Sequence, residues 1–541
     1  MFSIRGFLVT VILGVLAAVI YFEWFPQYAP TASLDLKYDR DQIISLAREY
    51  LSRMGYDTRD LDADANFKFD SIRSLYLENK LGLPEAHRVL RADTLFTHLW
   101  DVYFFDRHKA RSQMRDRFNV WLSPTGRKLG FIHLLPDSVA SESVDEATAR
   151  ATAVRFLHSQ GVDTSRIELE NSTAHQRPHR RDYFFSWVRQ DSVFGLASKI
   201  WVRVQGDKIG GFRHSLYTPE TFREASSRAF TLSTFIVTGS SIATFLLLIF
   251  VVTLFLKKYH DGEVGIKTAV VVFSVLFALM LVEQSLRFTT IGYETTISDV
   301  NRFNVRIVVF IISVFIVQAF LAAMGFASWS VGESSARRGW NEKLRAIDGV
   351  FFRKPFTLEF ARAIFRGYAF GFILLGLVLT GLYLASTLTK CNLFVLTLNG
   401  IPESKAPGLS AVLLALRVAL LNEIVFRLFF ISWLKEKTGK TWPGIVLSSL
   451  IWTLIAFTLW DFPFGYIDFW YLFPAFFIIG MLLGVIVVRY DLLTAITTNF
   501  VALSFTFAVP MLVASANFYQ VQSVLFYGLM ILPLVLAVMG F

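Results

Sequence analysis

The sequence predicts a polytopic α-helical membrane protein that carries an extracytoplasmic α+β domain made of two repeats. Three observations carry this expectation. Hydrophobic residues fill 54% of the 541 positions, and 54 residues are phenylalanine, a composition outside the soluble range and suited to lipid-facing helices. About ten apolar runs approach the ~20 residues that cross a hydrocarbon core as a helix. The stretch 30–228, between the first and second runs, is polar, mixed in charge and free of any such run.

The first run, Phe7 to Phe25, follows Arg5 and exits through Tyr21-Phe22-Glu23-Trp24-Phe25-Pro26, with no small-x-small cleavage site. Residues 1–29 therefore read as an uncleaved signal anchor, with Trp24 and Tyr28 at the headgroup level, where amphipathic rings are favoured. The formal net charge is +10. Much of the Lys and Arg sits in short loops beside apolar runs, where it sets topology, so no nucleic-acid partner is expected. The single cysteine, Cys391, excludes an intrachain disulfide framework and a Cys-based zinc cluster.

Residues 30–228 contain an internal repeat. Ala47, Leu51, Gly55, Asp57, Thr58 and Leu61 recur at constant offset as Ala153, Leu157, Gly161, Asp163, Thr164 and Ile167. That spacing gives one apolar helix face followed by a glycine stop in each copy. Tyr103-Phe104-Phe105 matches Tyr183-Phe184-Phe185, and Val120-Trp121-Leu122 with Gly126 matches Ile200-Trp201-Val202 with Gly206. Each copy is thus a helix followed by strands, and the first carries extra residues, roughly Asp62 to Asp93, ahead of its strands. From about Asp39 to Pro219 this pattern resembles a duplicated PepSY-type module, an α+β unit found outside membranes and often beside peptidases. His175 and His179 could serve as metal ligands, but Pro178 between them breaks helical spacing, so the segment is expected to be a solvated basic loop.

Nine further runs follow, at about 230–256, 268–288, 306–329, 367–387, 408–434, 443–460, 467–488, 492–515 and 521–541. They divide into three spans with a basic loop, 229–365, and a C-terminal bundle, 366–541. With the N-terminus inside, Lys257, Lys258 and Lys267, then the cluster from Arg337 to Arg366, then Lys435, Lys437 and Lys440 fall in cytoplasmic loops, as the positive-inside bias requires. The stretch Ser334 to Arg366 alternates basic residues with Trp340, Leu344, Ile347 and Val350, a pattern that fits a helix lying along the inner headgroup surface and fits an ordinary basic loop equally well. Charges within spans are functional candidates by default. Glu283 and Arg287 lie near the end of a span, where four-residue pairing and snorkelling account for them. Glu423 and Arg427 lie inside a long span with Asn422 and Arg417 nearby.

Leu421-Asn422-Glu423-Ile424-Val425-Phe426-Arg427 resembles the Glu-Glu-x-x-x-Arg motif of the CAAX-type prenyl endopeptidase and bacteriocin-processing family of intramembrane proteases. Ser448-Ser449-Leu450-Ile451-Trp452-Thr453-Leu454-Ile455-Ala456 is similar to its Ser-Ser-x-x-Phe-x-x-x-His helix. Gly480-x-x-x-Gly484 and the stretch Arg489 to Asn499 are similar to its glycine-containing span, tight turn and last histidine-bearing helix. The resemblance covers about Arg366 to Ser515. It implies that the first Glu and the second-motif His activate water or hold a metal; here those positions are Asn422 and Ala456, and the third-motif His position is Asn499. Glu423 and Arg427 are retained. Every histidine lies at or before His260, so neighbouring spans offer no substitute imidazole. An amide has no basic lone pair for general-base work, and alanine offers a metal no donor.

The expected protein is a multi-pass member of that family in a bacterial cytoplasmic membrane, non-catalytic and without a cofactor, with 30–228 outside. Its expected partners are the bilayer and a membrane protein or a prenylated or hydrophobic peptide. The alternatives are an active intramembrane endopeptidase with atypical residues, using zinc or another divalent metal, and a transporter.

Overall fold

Arg5 and the apolar run behind it form α1 (Ile4–Tyr28). The structure is a computed structural model that describes residues 4–28, 33–92, 95–109, 114, 117–291, 302–351, 356–388, 400–459 and 469–540. Cys391 and residues 461–468 lie outside the described residues. The chain forms two units: Leu34–Ser227 with Thr289–Val309, and Met1–Ser33 with Arg228–Phe288 and Phe310–Phe541.

In the first of these units, Asp39 caps α2 (Arg40–Arg53): its carboxylate accepts from the Asp41 and Gln42 amides, and Gln42 returns a bond to the Asp39 amide, closing a capping box. Ile43, Ala47, Tyr50 and Leu51 are its buried face. Gly55, at φ +84°, lets the chain reverse so that the Tyr56 amide bonds the Leu51 carbonyl. Then come β1 (Asp62–Phe69), α3 (Ser71–Leu81), α4 (Leu83–Arg91), β2 (His98–Phe105), β3 (Phe118–Leu122) and β4 (Lys128–His133). Asp145 caps α5 (Glu146–Ser159) through the Thr148 amide, and α5 buries Ala149, Ala153 and Leu157. Gly161, at φ +74°, ends it with the equivalent bond, from the Val162 amide to the Leu157 carbonyl. Next are β5 (Ile167–Arg177), β6 (Arg180–Arg189), β7 (Ala197–Gln205) and β8 (Lys208–Tyr217).

All eight strands form one antiparallel sheet in the order β1-β2-β3-β4-β8-β7-β6-β5. The two four-stranded meanders meet at a short seam, Gly130 opposite Arg213, Phe131 opposite Phe212 and Ile132 opposite Gly211. Two expectations need correction here. Residues 62–93 do not all precede the strands of the first copy, because β1 occupies Asp62–Phe69 and the insertion is the pair α3 and α4 between β1 and β2. Leu77 of α3 justifies it by packing with Leu95, Phe96, Leu129, Leu196 and Leu216. Nor is the His175–His179 segment a loop. His175 is on β5 opposite Asp182, and Pro178 and His179 form a hairpin turn. Arg180 beside it is buried, bonding Asp182 at 2.9 Å and the carbonyls of Pro136 and Val139. Those acceptors replace water for the charge, which is why a basic sequence can be structured there.

After β8 comes α6 (Glu220–His260). It is followed by α7 (Lys267–Leu286), α8 (Arg302–Ile312), a π-helical turn (Ser313–Gln318) and α9 (Ala319–Arg337). After α10 (Arg345–Phe351) come α11 (Leu358–Leu388), α12 (Pro407–Asn422), a second π-helical turn (Glu423–Phe429) and α13 (Phe430–Thr438). The last four helices are α14 (Trp442–Leu459), α15 (Phe469–Arg489), α16 (Leu492–Leu512) and α17 (Asn517–Val538). Among the described residues, eight helices are long and apolar enough to cross a membrane. At two of the ten predicted spans the described apolar helices are shorter, Trp442–Ile455 and Phe473–Arg489.

Small residues set the helix spacing, as expected where hydrophobicity cannot drive helix association. A Cβ on Gly14 would lie 2.5 Å from the Ala369 backbone, locking α1 onto α11; one on Gly367 would lie 2.3 Å from Thr497, and one on Gly371 2.7 Å from Val501. The stretch Ser334–Arg366 is not a single surface helix. It breaks after α9, and Trp340, Leu344 and Ile347 turn inward, Trp340 packing with Ile431 and Ile445. Packing these side chains in the bundle removes more apolar surface from water than laying them in the headgroup region. Glu283 does not snorkel either. It is fully buried, pairs with Arg287, and faces Arg417 of α12 at 3.8 Å, so it bridges two helices.

Candidate functional site

The site sits where α12 passes into α13. A π-helical turn bonds i to i+5 and inserts a residue into the helix, a distortion that recurs at functional positions; here it spans Glu423–Phe429 and so holds both retained charges. Glu423 and Arg427 are completely buried. Arg427 Nε lies 3.7 Å from Glu423 Oε2, within ion-pair range but too long for a hydrogen bond. No hydrogen-bond partner for any of the three guanidinium nitrogens occurs among the described residues. The charge is met instead by the carboxylate and by the Trp452 ring, 4.6 Å from the guanidinium carbon.

The two substituted positions nearest the carboxylate are tied into the same cluster. Asn499 Nδ2, on α16, donates to Glu423 Oε1 at 3.0 Å, and Trp452 Nε1, on α14, donates to Asn422 Oδ1 at 3.1 Å. Asn499 reaches the carboxylate because α16 packs against both α11 and α12 and is started by Asp491, which caps the Thr494 amide at 2.8 Å. The structure thus brings together Asn422, Glu423, Arg427 and Asn499. Ala456 is on α14, and its side chain lies outside the described residues. Arg417, near in sequence, turns away to Glu283.

Trp452 is a residue that sequence reasoning passed over. It occupies the aromatic position of the second motif, and a tryptophan there, unlike phenylalanine, brings a hydrogen-bond donor. That was the available signal. A second omission is α1. A cavity of about 110 Å³ opens beside the cluster, with Asn422, Trp452 and Asn499 on one side, Leu375 and Leu379 of α11 on another, and Tyr21 and Phe25 of α1 completing it. Its walls are almost wholly apolar.

A zinc ion would need three protein ligands from His, Cys, Asp or Glu. Among the described residues no such group of three lies together, and of the four clustered side chains only Glu423 is a carboxylate. The amide oxygen of Asn422 is already an acceptor for Trp452. The clustered residues do not fit a catalytic zinc.

The fold and site define a domain of long apolar helices with a buried carboxylate, a buried guanidinium and two amides clustered between α12, α14 and α16. Residues 405–505 match the model of the family described as Rce1-like, Type II CAAX prenyl endopeptidase Rce1-like. The CAAX-protease-like family of this helical region, resembled by its three motifs, is thereby supported, and the match includes all five motif positions. No curated protein matches the chain, and no solved structure does.

Proposed function

We propose that the chain is a non-catalytic member of the CAAX prenyl endopeptidase-like family that holds a membrane-embedded hydrophobic segment, of a partner protein or a prenylated peptide, in the apolar cavity beside Glu423. The observation that carries this is the state of Glu423: its Oε1 accepts from Asn499 and its other oxygen faces Arg427. Asn499 and Asn422 stand where the family motifs carry the groups that activate water, and an amide has no basic lone pair for general-base work. The metal content of purified protein tests the reading. We expect no stoichiometric zinc in the wild type, whereas one zinc per chain that disappears in Glu423→Gln would favour the active endopeptidase that the family match implies.

Ten spans with the N-terminus and Ser334–Arg366 inside and a duplicated, PepSY-like domain outside complete the proposal. It is supported by basic residues in alternate loops and by two capped helices that each precede a four-stranded meander. Ser334→Cys, in a Cys391→Ser background, should resist an impermeant thiol reagent added from the outer face; prompt labelling there would reverse the orientation.

A further inference from the structure

We propose that the sheet-bearing unit contains an anion-binding site, for a small molecule or lipid headgroup bearing phosphate groups, in the cleft where the C-terminal ends of α2 and α5 meet. The ends are joined by Tyr50, whose hydroxyl donates to Gln160 at 3.3 Å. The cleft encloses about 870 Å³, within the range of small-molecule sites, roughly 300–1,000 Å³. Five cationic side chains line it, Arg53, Arg127, Lys128, Arg166 and Arg189, against one carboxylate, Asp163.

Two of the five are paired with carboxylates. Arg166 takes Asp163 at 3.3 Å, and Arg53 pairs along its own helix with Glu49. Lys128 rests over the Tyr50 ring at 4.9 Å, a contact that leaves its charge intact. Arg189 Nε is buried and has no hydrogen-bond partner among the described residues. The ends of α2 and α5 bring only fractional negative charge. The field of the cluster is felt by His214, on the same cleft: burial, then Arg127, Arg189 and Arg73, push its pKa down to about 4. His214 is therefore neutral at pH 7, and its Nε2 is engaged by the Ser198 hydroxyl at 2.8 Å.

Like charges gathered in a concave wall concentrate counter-anions, and guanidinium groups match phosphate oxygens in bidentate geometry. Several cations call for a multiply charged anion. Ile200 and Phe212 on the same wall provide apolar contact for the rest of such a molecule. Both repeats contribute, through Tyr50 and Arg53 on one side and Ser159 to Val162 on the other, so the site exists only because the two halves share one sheet.

The test uses the full chain purified in detergent at low salt. Inorganic pyrophosphate is titrated calorimetrically, and binding of phosphatidylglycerol and phosphatidylcholine is compared by native mass spectrometry. Saturable pyrophosphate binding indicates a free phosphate ligand, and selective retention of phosphatidylglycerol indicates a headgroup; either supports the site. Lys128→Gln and Arg189→Gln should each weaken binding about tenfold, the scale of one lost charge-assisted contact, while Arg59→Gln, exposed and paired with Asp57, leaves it unchanged. In the unaltered protein the bound anion should shield Lys128 from reductive methylation. The proposal is overturned if neither probe binds selectively, if folded Lys128→Gln and Arg189→Gln proteins bind normally, or if Lys128 reactivity is unmoved.

Discussion

Replacing Arg427 by methionine should destabilise the helical unit by about 3–5 kcal/mol, the range for removing one partner of a buried ion pair. The side chain is fully buried, and its loss leaves Glu423 with Asn499 alone. Methionine nearly fills the lost volume, so the effect reports charge more than packing. The double variant Glu423→Gln/Arg427→Met should regain most of the loss, because it removes both charges and keeps an amide opposite Asn499. Thermal unfolding in detergent measures both. An Arg427→Met protein that melts like the wild type would show that the pair does not hold α12, α14 and α16 together.

Acid should destabilise the sheet-bearing unit through His98. Its ring is buried between Phe67 and Phe69, with centroids 5.6 and 4.4 Å away, and burial pushes its pKa from 6.5 down to about 3. The folded-state value is depressed, so the unfolded chain binds the extra proton. Stability from His98 is complete above pH 6.5 and is lost progressively as pH falls toward 3. The expected loss across that window is on the order of a few kcal/mol. His214, depressed to about 4, adds a smaller loss of the same sign. His98→Phe keeps an aromatic ring in the stack and should flatten the decline between pH 6.5 and 4 in chemical denaturation. An unchanged slope would place the acid sensitivity elsewhere.

Several features were legible in the sequence because a periodic pattern or a named residue type encodes them. Ala47, Leu51, Ala153 and Leu157 mark buried helix faces, and all four are completely buried. Gly55 and Gly161 mark the helix stops and adopt positive φ. The motif positions Asn422, Glu423 and Asn499 come together although α13, α14 and α15 lie between α12 and α16 in the chain, a spatial relation that the family resemblance implies. Other features depend on partners distant in the chain. Arg417 could have joined Glu423 on spacing alone, but only packing of α12 on α7 reveals Glu283 as its partner. Residues 62–69 look like part of an insertion because the strand period is short, and only pairing with β2 makes them β1. The inward turn of Trp340 follows from a surface provided by Ile431 and Ile445, which no local pattern announces. The π-helical turn at Glu423 also has no sequence signature in a run this apolar.

The reading of the site rests on Glu423 being a structural carboxylate. The direct measurement is release of the C-terminal peptide from a farnesylated CAAX peptide, by purified wild-type and Glu423→Gln proteins in nanodiscs, with folding checked by thermal melting. The two proteins should give the same background release, since Asn422 and Asn499 supply no base. Wild-type release well above background that is abolished in a folded Glu423→Gln protein would contradict the account and establish a working endopeptidase.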